Sequence, residues 1–242
     1  LEWAKVYPNA GNETGYFAET DGSGNVVVVG TLEVASDFGR GTQNVYGSGD
    51  IFVLRLNPQG GFLNSTVFGS TGYEEPTGLA VDPAGGVVVM GFFDNDLKGL
   101  GIVVKSLVPA DQTFVVHLIP GGASFWTDWG VVAPSVDTTG AIQAIRADAE
   151  GGAVFVGRTY NNAGFDGQTF PGDVGVLVAT DNFGKHRWSR VLGGPSGRAQ
   201  ALAQSANGEL TVVGVKGSAR FDIGSGPIQA GSTRTYAAHV GH

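Results

Sequence analysis

Four pairs of residues stand nine apart along this chain: Asp21 and Gly30, Asp82 and Gly91, Asp148 and Gly157, Ser205 and Gly214. Each pair encloses a Gly-containing turn and an apolar run, the pattern of a β-hairpin. Four copies of one hairpin restrict the chain to a repeated architecture of small sheets. Aligned on the glycines, the copies step by 61, 66 and 57 residues, room for four short strands and their turns.

The first copy is expected to hold strands over 2–7, 16–20, 26–31 and 51–56, and the second over 63–68, 77–81, 87–92 and 102–107. The third is expected to hold 114–119, 142–147, 153–159 and 175–179, and the fourth 187–192, 199–204, 209–215 and 236–240. The units then run over 1–61, 62–112, 113–185 and 186–242 of a single domain. Turns between second and third strands read DGSGN, DPAGG, DAEGG and SANGE, where Asp or Ser bonds its own backbone and Gly supplies positive φ. Further turns are expected at Asn57-Pro58-Gln59-Gly60, Pro109-Ala110-Asp111-Gln112 and Asp181-Asn182-Phe183-Gly184.

Composition agrees with an all-β chain whose turns are dense: Gly accounts for 41 of 242 residues without a collagen period. No useful stretch has a 3.6-residue apolar stripe. Val26 to Val29, Val87 to Met90 and Val154 to Val156 are instead unbroken runs of the kind buried on both faces of a sheet. A chain of this length buries roughly 70% of its unfolded surface, enough for a core without staples, and with no cysteine it has none. The net charge of −8 argues against a nucleic-acid surface, and no apolar segment reaches the length of a membrane span. Because Leu1 falls at the start of a repeat, the expectation is a mature or excised portion of something longer.

In sequence the pieces EWAKVYP and RWSRVLGG, the hairpins DGSGNVVVVGT and DPAGGVVVMGF, the loop elements SDFGRG and ARFDIGSG, and GDIFVLRLNPQGG follow a fixed order. In that order the chain resembles the bacterial β-propeller repeat proteins called SBBP-repeat proteins, over nearly its whole length. The resemblance implies a propeller of four-stranded antiparallel blades, the first strand innermost and the fourth outermost, in a secreted or cell-surface bacterial protein. Four blades closing into a ring is the favoured arrangement; an arc of a larger propeller is the alternative. The chain departs from the pattern where the second repeat runs from Phe92 to Gly101 without the long loop and where the third carries an insertion over 121–141.

Antiparallel order gathers the long connections, 33–50, 121–141, 160–173 and 216–235, at one end of the expected propeller. Long loops tend to carry binding function. Within them Phe125, Trp126, Asp128 and Trp129, with Tyr46, Tyr160 and Phe170, are the candidates for holding a protein or glycan partner, or a second copy of the chain. The alternative for the Trp-rich segment is a plug that closes one end of the channel. Phe38, Phe165 and Phe221, at similar distances after their glycines, read as anchors of the loops, with Asp37, Asp166 and Asp222 as loop hydrogen-bonders.

Catalysis has thin support. His117, His186, His239 and His242 show no HExxH spacing and no neighbouring acid in sequence, so a structural role is expected for the strand histidines. Glu74-Glu75 and Asp94-Asn95-Asp96 are the densest acidic clusters, which a propeller hydrolase or lactonase acting on a carbohydrate-like substrate would need near its axis. No catalytic residue, metal or cofactor is assigned. The leading reading is a non-enzymatic binding or structural module, with that hydrolase as the alternative. The strands 51–56 and 236–240 are read as exposed edges open to pairing.

Overall fold

The computed structural model describes residues 2–7, 11–99, 103, 112–118, 142–148, 150–159, 164–165, 168–170, 172–182, 184–217, 220–222, 227–229 and 235–240. Among them there is no helix, and every ladder is antiparallel. In chain order the strands are β1 (Glu13–Thr20), β2 (Val26–Leu32), the short pair β3 (Ser36–Asp37) and β4 (Thr42–Gln43), β5 (Asp50–Leu56) and β6 (Phe62–Phe68). Then come β7 (Glu74–Val81), β8 (Val87–Phe93), β9 (Gln112–Leu118), β10 (Ile142–Ala147), β11 (Ala153–Arg158), the pair β12 (Gly164–Phe165) and β13 (Gln168–Thr169), β14 (Val174–Thr180) and β15 (His186–Pro195). The rest are β16 (Arg198–Gln204), β17 (Leu210–Val215), the pair β18 (Arg220–Asp222) and β19 (Pro227–Gln229), and β20 (Thr235–Val240).

Four main sheets result, ordered β1-β2-β5-β6, β7-β8-β9, β10-β11-β14-β15 and β16-β17-β20. The hairpin turns form as their chemistry dictates. Asp21 Oδ1 accepts the N–H of Ser23 and of Asn25, Asp148 Oδ1 those of Glu150 and Gly152, and Gly24 and Gly151 take φ of 76° and 81°. Asp21→Ala returns two N–H groups to water in an exposed turn and is expected to cost about 1 kcal/mol, read as a small loss of Tm; an unchanged Tm would remove the turn's role.

The apolar runs do what their lack of alternation requires, because successive residues on a strand face opposite ways. Val27 and Val29 face the second sheet, where they meet Val87, Val89, Phe93 and Phe114. Val88 and Met90 turn the other way, onto Phe155, Val176 and Val178 of the third sheet. Val154, Val156 and Leu177 in turn meet Leu202, Leu210, Val212 and Tyr236 of the fourth. The four sheets are thus stacked face to face with three apolar layers between them, and β1 neighbours β7, β7 neighbours β10, and β10 neighbours β16 along one side.

The marker glycines have a packing reason. A Cβ on Gly30 would fall 2.0 Å from the Thr14 carbonyl oxygen and 2.7 Å from the Phe52 ring; Gly91 meets Glu75 and Phe114, and Gly214 meets Arg198 and Tyr236, in the same way. One strand's carbonyl and the next strand's aromatic ring close on the same Cα.

Several expectations are corrected by the pairing. Residues 62–68 and 186–195 sit on the edges of β5 and β14, so each sheet ends one strand later than the unit boundaries drawn from the repeat. The strand 51–56 is therefore interior to its sheet and not an edge. Residues 2–7 join no strand among the described residues. The run 114–119 was expected to open the third unit, yet β9 pairs with β8, with Phe114 opposite Gly91 as Phe52 is opposite Gly30. The second repeat thus has its long connection, over 94–111, while 102 and 104–107 lie outside the described residues. Three of the long connections carry ladders of their own: β3 with β4, β12 with β13 and β18 with β19.

A closed ring is not what the described residues form. Closure would lay the outer face of the fourth sheet on the free face of the first, but that first face is covered by Trp3, Tyr7, Phe38 and Val45. The outer face of the fourth sheet is exposed, with Val213 at 38%. Its composition explains the difference: Thr211, Val213, Thr235 and Ala237 stand at the register positions of Val27, Val29, Ile51 and Val53, and the apolar bulk that packs the inner layers is reduced.

Candidate functional site

Each strand that opens one of the four main sheets is bulged at one register position. The ladders slip between Gly15 and Phe17, Pro76 and Gly78, Ile142 and Ala144, and Ala199 and Ala201. The extra residues are Tyr16, Thr77, Gln143 and Gln200, each fourteen positions before its marker glycine. A bulge re-aims a side chain and bends its strand, and bulges gather beside functional sites. Because β1, β7, β10 and β16 are successive neighbours, the four bulges form a row in which a phenol and two amides reach the surface, while the Thr77 hydroxyl is buried without a hydrogen-bond partner. Tyr16 is 39% exposed, and Gln143 and Gln200 are exposed too. The Tyr16 ring stacks beside Phe17, and the Tyr73 hydroxyl lies 3.4 Å from Glu75 Oε2. Burial pushes the Tyr73 phenol up to about 12, with the neighbouring Tyr16 and the Glu75 charge adding to it.

Next to this row, loops from the first two sheets knit together. Glu74 N–H donates to the Gly49 carbonyl and Ser48 N–H to that of Gly72, while Gly69 and Lys98 exchange backbone bonds. Inside the knot the Asp50 and Glu74 side chains flank Gly69, where a Cβ would fall 1.7 Å from Asp50 Oδ1 and 2.7 Å from Glu74 Oε2. Both acids are completely buried. Tyr46 and Gly47 N–H groups donate to Asp50 Oδ2, and Ser70 gives both its N–H and its hydroxyl to Glu74.

Asp50 Oδ1 has no hydrogen-bond partner, and the Glu74 carboxyl lies near it, both around the Gly69 Cα. Burial is the largest cause raising Glu74 to about 7, with the charges of Asp50 and Asp94 adding to it; burial also raises Asp50. The two acidic clusters of the sequence do converge here, through Glu74 and Asp94, but Glu74 is sealed from substrate by the loops it ties.

The strand histidine is partnered, against expectation. His117 Nε2 lies 3.2 Å from Asp82 Oδ2, both side chains buried, at the tight-turn end and away from the long loops. Burial pushes the Asp82 carboxyl up, but the bonds from His117 and from Gly86 N–H outweigh it and hold the group below the usual range. Arg55, at the equivalent position of the first sheet, reaches the turn of the second and donates to the Gly85 carbonyl. The Arg55 contact joins the first sheet to a turn of the second, whereas His117 and Asp82 tie a strand of the second sheet to that sheet's own turn.

Of the residues proposed from sequence, Phe125, Trp126, Asp128, Trp129 and Tyr160 lie outside the described residues. Tyr46 is 41% exposed on the loop that holds Asp50. Phe170 is in the apolar layer between the second and third sheets, away from Tyr46 and from solvent. Phe38 anchors its loop as expected, its ring centroid 4.9 Å from that of Phe52, and Asp37 bonds the N–H groups of Gly39 and Gly41. The side chains of Phe165 and Phe221 lie outside the described ones, as do residue 166 and the side chain of Asp222. Sequence reasoning missed the bulge row, although its constant offset from the glycines was there to be measured. No metal-holding group of three or more His, Asp or Glu occurs among the described residues, and no described helix is long and apolar enough to cross a membrane. No family model matches this chain, and no curated protein matches it.

Proposed function

We propose that the stacked sheets are consecutive blades of a β-propeller arc, and that the chain is a non-enzymatic binding and structural module of a secreted or cell-surface bacterial protein. Its partner is a protein or glycan met at the long-loop end. The observation that carries this reading is the bulge repeated in all four sheets, which sets Tyr16, Thr77, Gln143 and Gln200 in a row beside exposed Tyr46 and Tyr73. Phenol faces stack on sugar or peptide planes, and amides bond hydroxyls and peptide groups in pairs. A hydrolase would need acids open to substrate, whereas Asp50 and Glu74 support the loops from inside.

A glycan array with the intact chain tests it, followed by titration of the best oligosaccharide. Tyr16→Ala with Gln200→Ala is expected to weaken binding at least about ten-fold, the loss of one or two good polar or stacking contacts, with Tm nearly unchanged because both residues are exposed. Binding that survives the double variant would overturn the row as the site.

A further inference from the structure

The same hairpin turn occurs in all four main sheets, and the fourth copy is chemically unlike the rest. In the other three an Asp carboxylate opens the turn and accepts backbone N–H groups ahead of it: Asp21 those of Ser23 and Asn25, Asp82 that of Gly86, and Asp148 those of Glu150 and Gly152. The fourth turn, between β16 and β17, opens on Ser205, whose hydroxyl donates to the side-chain Oδ1 of Asn207. Asn207 Nδ2 in turn donates to Glu209 Oε2 at 2.9 Å. Asn207 is exposed, and so are Ser23, Ala84 and Glu150 at the same position of the other turns, so its exposure comes from the turn and not from the place of its sheet in the stack. Gly208 follows it at φ 85°, and no other asparagine of the chain precedes a glycine.

We propose that Asn207 is a site of spontaneous deamidation, which makes the fourth turn the one that ages chemically. The Gly208 nitrogen gives its proton to hydroxide and attacks Asn207 Cγ. The new C–N bond closes a succinimide ring, the Cγ–Nδ2 bond breaks, and Nδ2 takes a proton from water and leaves as ammonia. Water then opens the ring at either carbonyl, leaving an aspartyl or an isoaspartyl carboxylate where a neutral amide stood. Gly208 has no Cβ to crowd the approach to its nitrogen. The Ser205 hydroxyl is aimed at the oxygen on which negative charge gathers during the attack. The Gly208 N–H is held by the Ser205 carbonyl at 2.9 Å, a bond the attack must first break, and residue 205 supplies no carboxylate to reinforce the turn around it. Asp21 also precedes a glycine, but its ionised carboxylate is a poor electrophile and is bound to the N–H groups of its own turn. An isoaspartyl residue adds a methylene to the backbone between Ser205 and Glu209, whose N–H to carbonyl bond closes the hairpin, so the product loosens the turn between β16 and β17.

The test is incubation of the intact chain in mildly alkaline buffer, with its peptides followed over time by mass spectrometry and by fragmentation that separates isoaspartyl from aspartyl products. Conversion of the Asn207 amide to an acid, as both products, is expected at least about ten-fold faster than at Asn25, Asn64 or Asn182, where Val26, Ser65 and Phe183 crowd the attacking nitrogen. Ser205→Asp restores the carboxylate of the other three turns and is expected to slow the reaction at Asn207 at least about ten-fold, with Tm at or above that of the parent. Asn207→Gln sets the amide a methylene further from the Gly208 nitrogen and is expected to keep its mass. Loss of the amide at Asn25 or Asn182 ahead of Asn207 would overturn the proposal, as would a Ser205→Asp protein that reacts as fast as the parent.

Discussion

Phe114→Ala is expected to destabilise the protein by about 3–5 kcal/mol, measured by urea unfolding, with Tm falling by roughly 10 °C. The ring is 1% exposed and sits edge-on to Phe68 across the layer between the first two sheets, 5.7 Å between centroids, and to Phe93 at 6.2 Å. It also covers the Cα of Gly91. Truncation therefore leaves a cavity bounded by two sheets and a glycine, with no side chain on Gly91 to move into it. Leu63→Ala, at a residue 42% exposed on β6, removes apolar bulk outside the layer and is expected to cost less than about 1 kcal/mol. Equal losses at the two positions would show that Phe114 is not in a stacked interface, and the four-sheet arrangement would fall with it.

The second large effect is a loss of stability as pH rises from about 4.5 to about 7. An unfolded Glu74 releases its proton near its ordinary value of 4.5, while the folded group keeps it to about 7. Between those values the folded state holds the extra proton, so stability falls with each unit of pH; the contribution is complete below the lower value and gone above the higher. At 1.36 kcal/mol per unit the whole change is on the order of 3 kcal/mol. The raised Asp50 acts in the same direction. Asp21, Asp82 and Asp173 are held low and act in the opposite sense, but their stabilising effect is complete once pH exceeds the ordinary carboxylate range. Glu74→Gln keeps a neutral hydrogen-bonding group beside Ser70 and Asp50, and is expected to flatten most of the slope across this window in urea unfolding at stepped pH. A slope unchanged in Glu74→Gln would place the buried proton elsewhere.

Much of the local structure was legible because its causes are local. An Asp that bonds N–H groups two and four residues ahead, followed by a Gly at positive φ, makes the same turn wherever it occurs, and a run such as Val26 to Val29 has no polar face to offer water. The misreading around 102–118 has an equally definite origin. Ile102 to Leu107 and Phe114 to Leu118 are apolar runs of similar length, which periodicity does not separate. What separates them is Phe114 on Gly91, matching Phe52 on Gly30 and Tyr236 on Gly214. The buried acid pair was half visible: Glu74 stood out in a cluster, but its partner proved to be Asp50, twenty-four residues away, because the loops before β5 and β7 are tied together.

By itself the sequence determined an all-β chain of repeated hairpins, their turns, and the residues that alternate between two faces of each strand. Tertiary structure alone decided which strand takes each sheet edge, that the sheets stack without closing, and which acids are buried together. An edge offers the same N–H and C=O groups to any strand, so its occupant is chosen by the faces that must pack together. A carboxyl shifts only when distant segments shut water out around it.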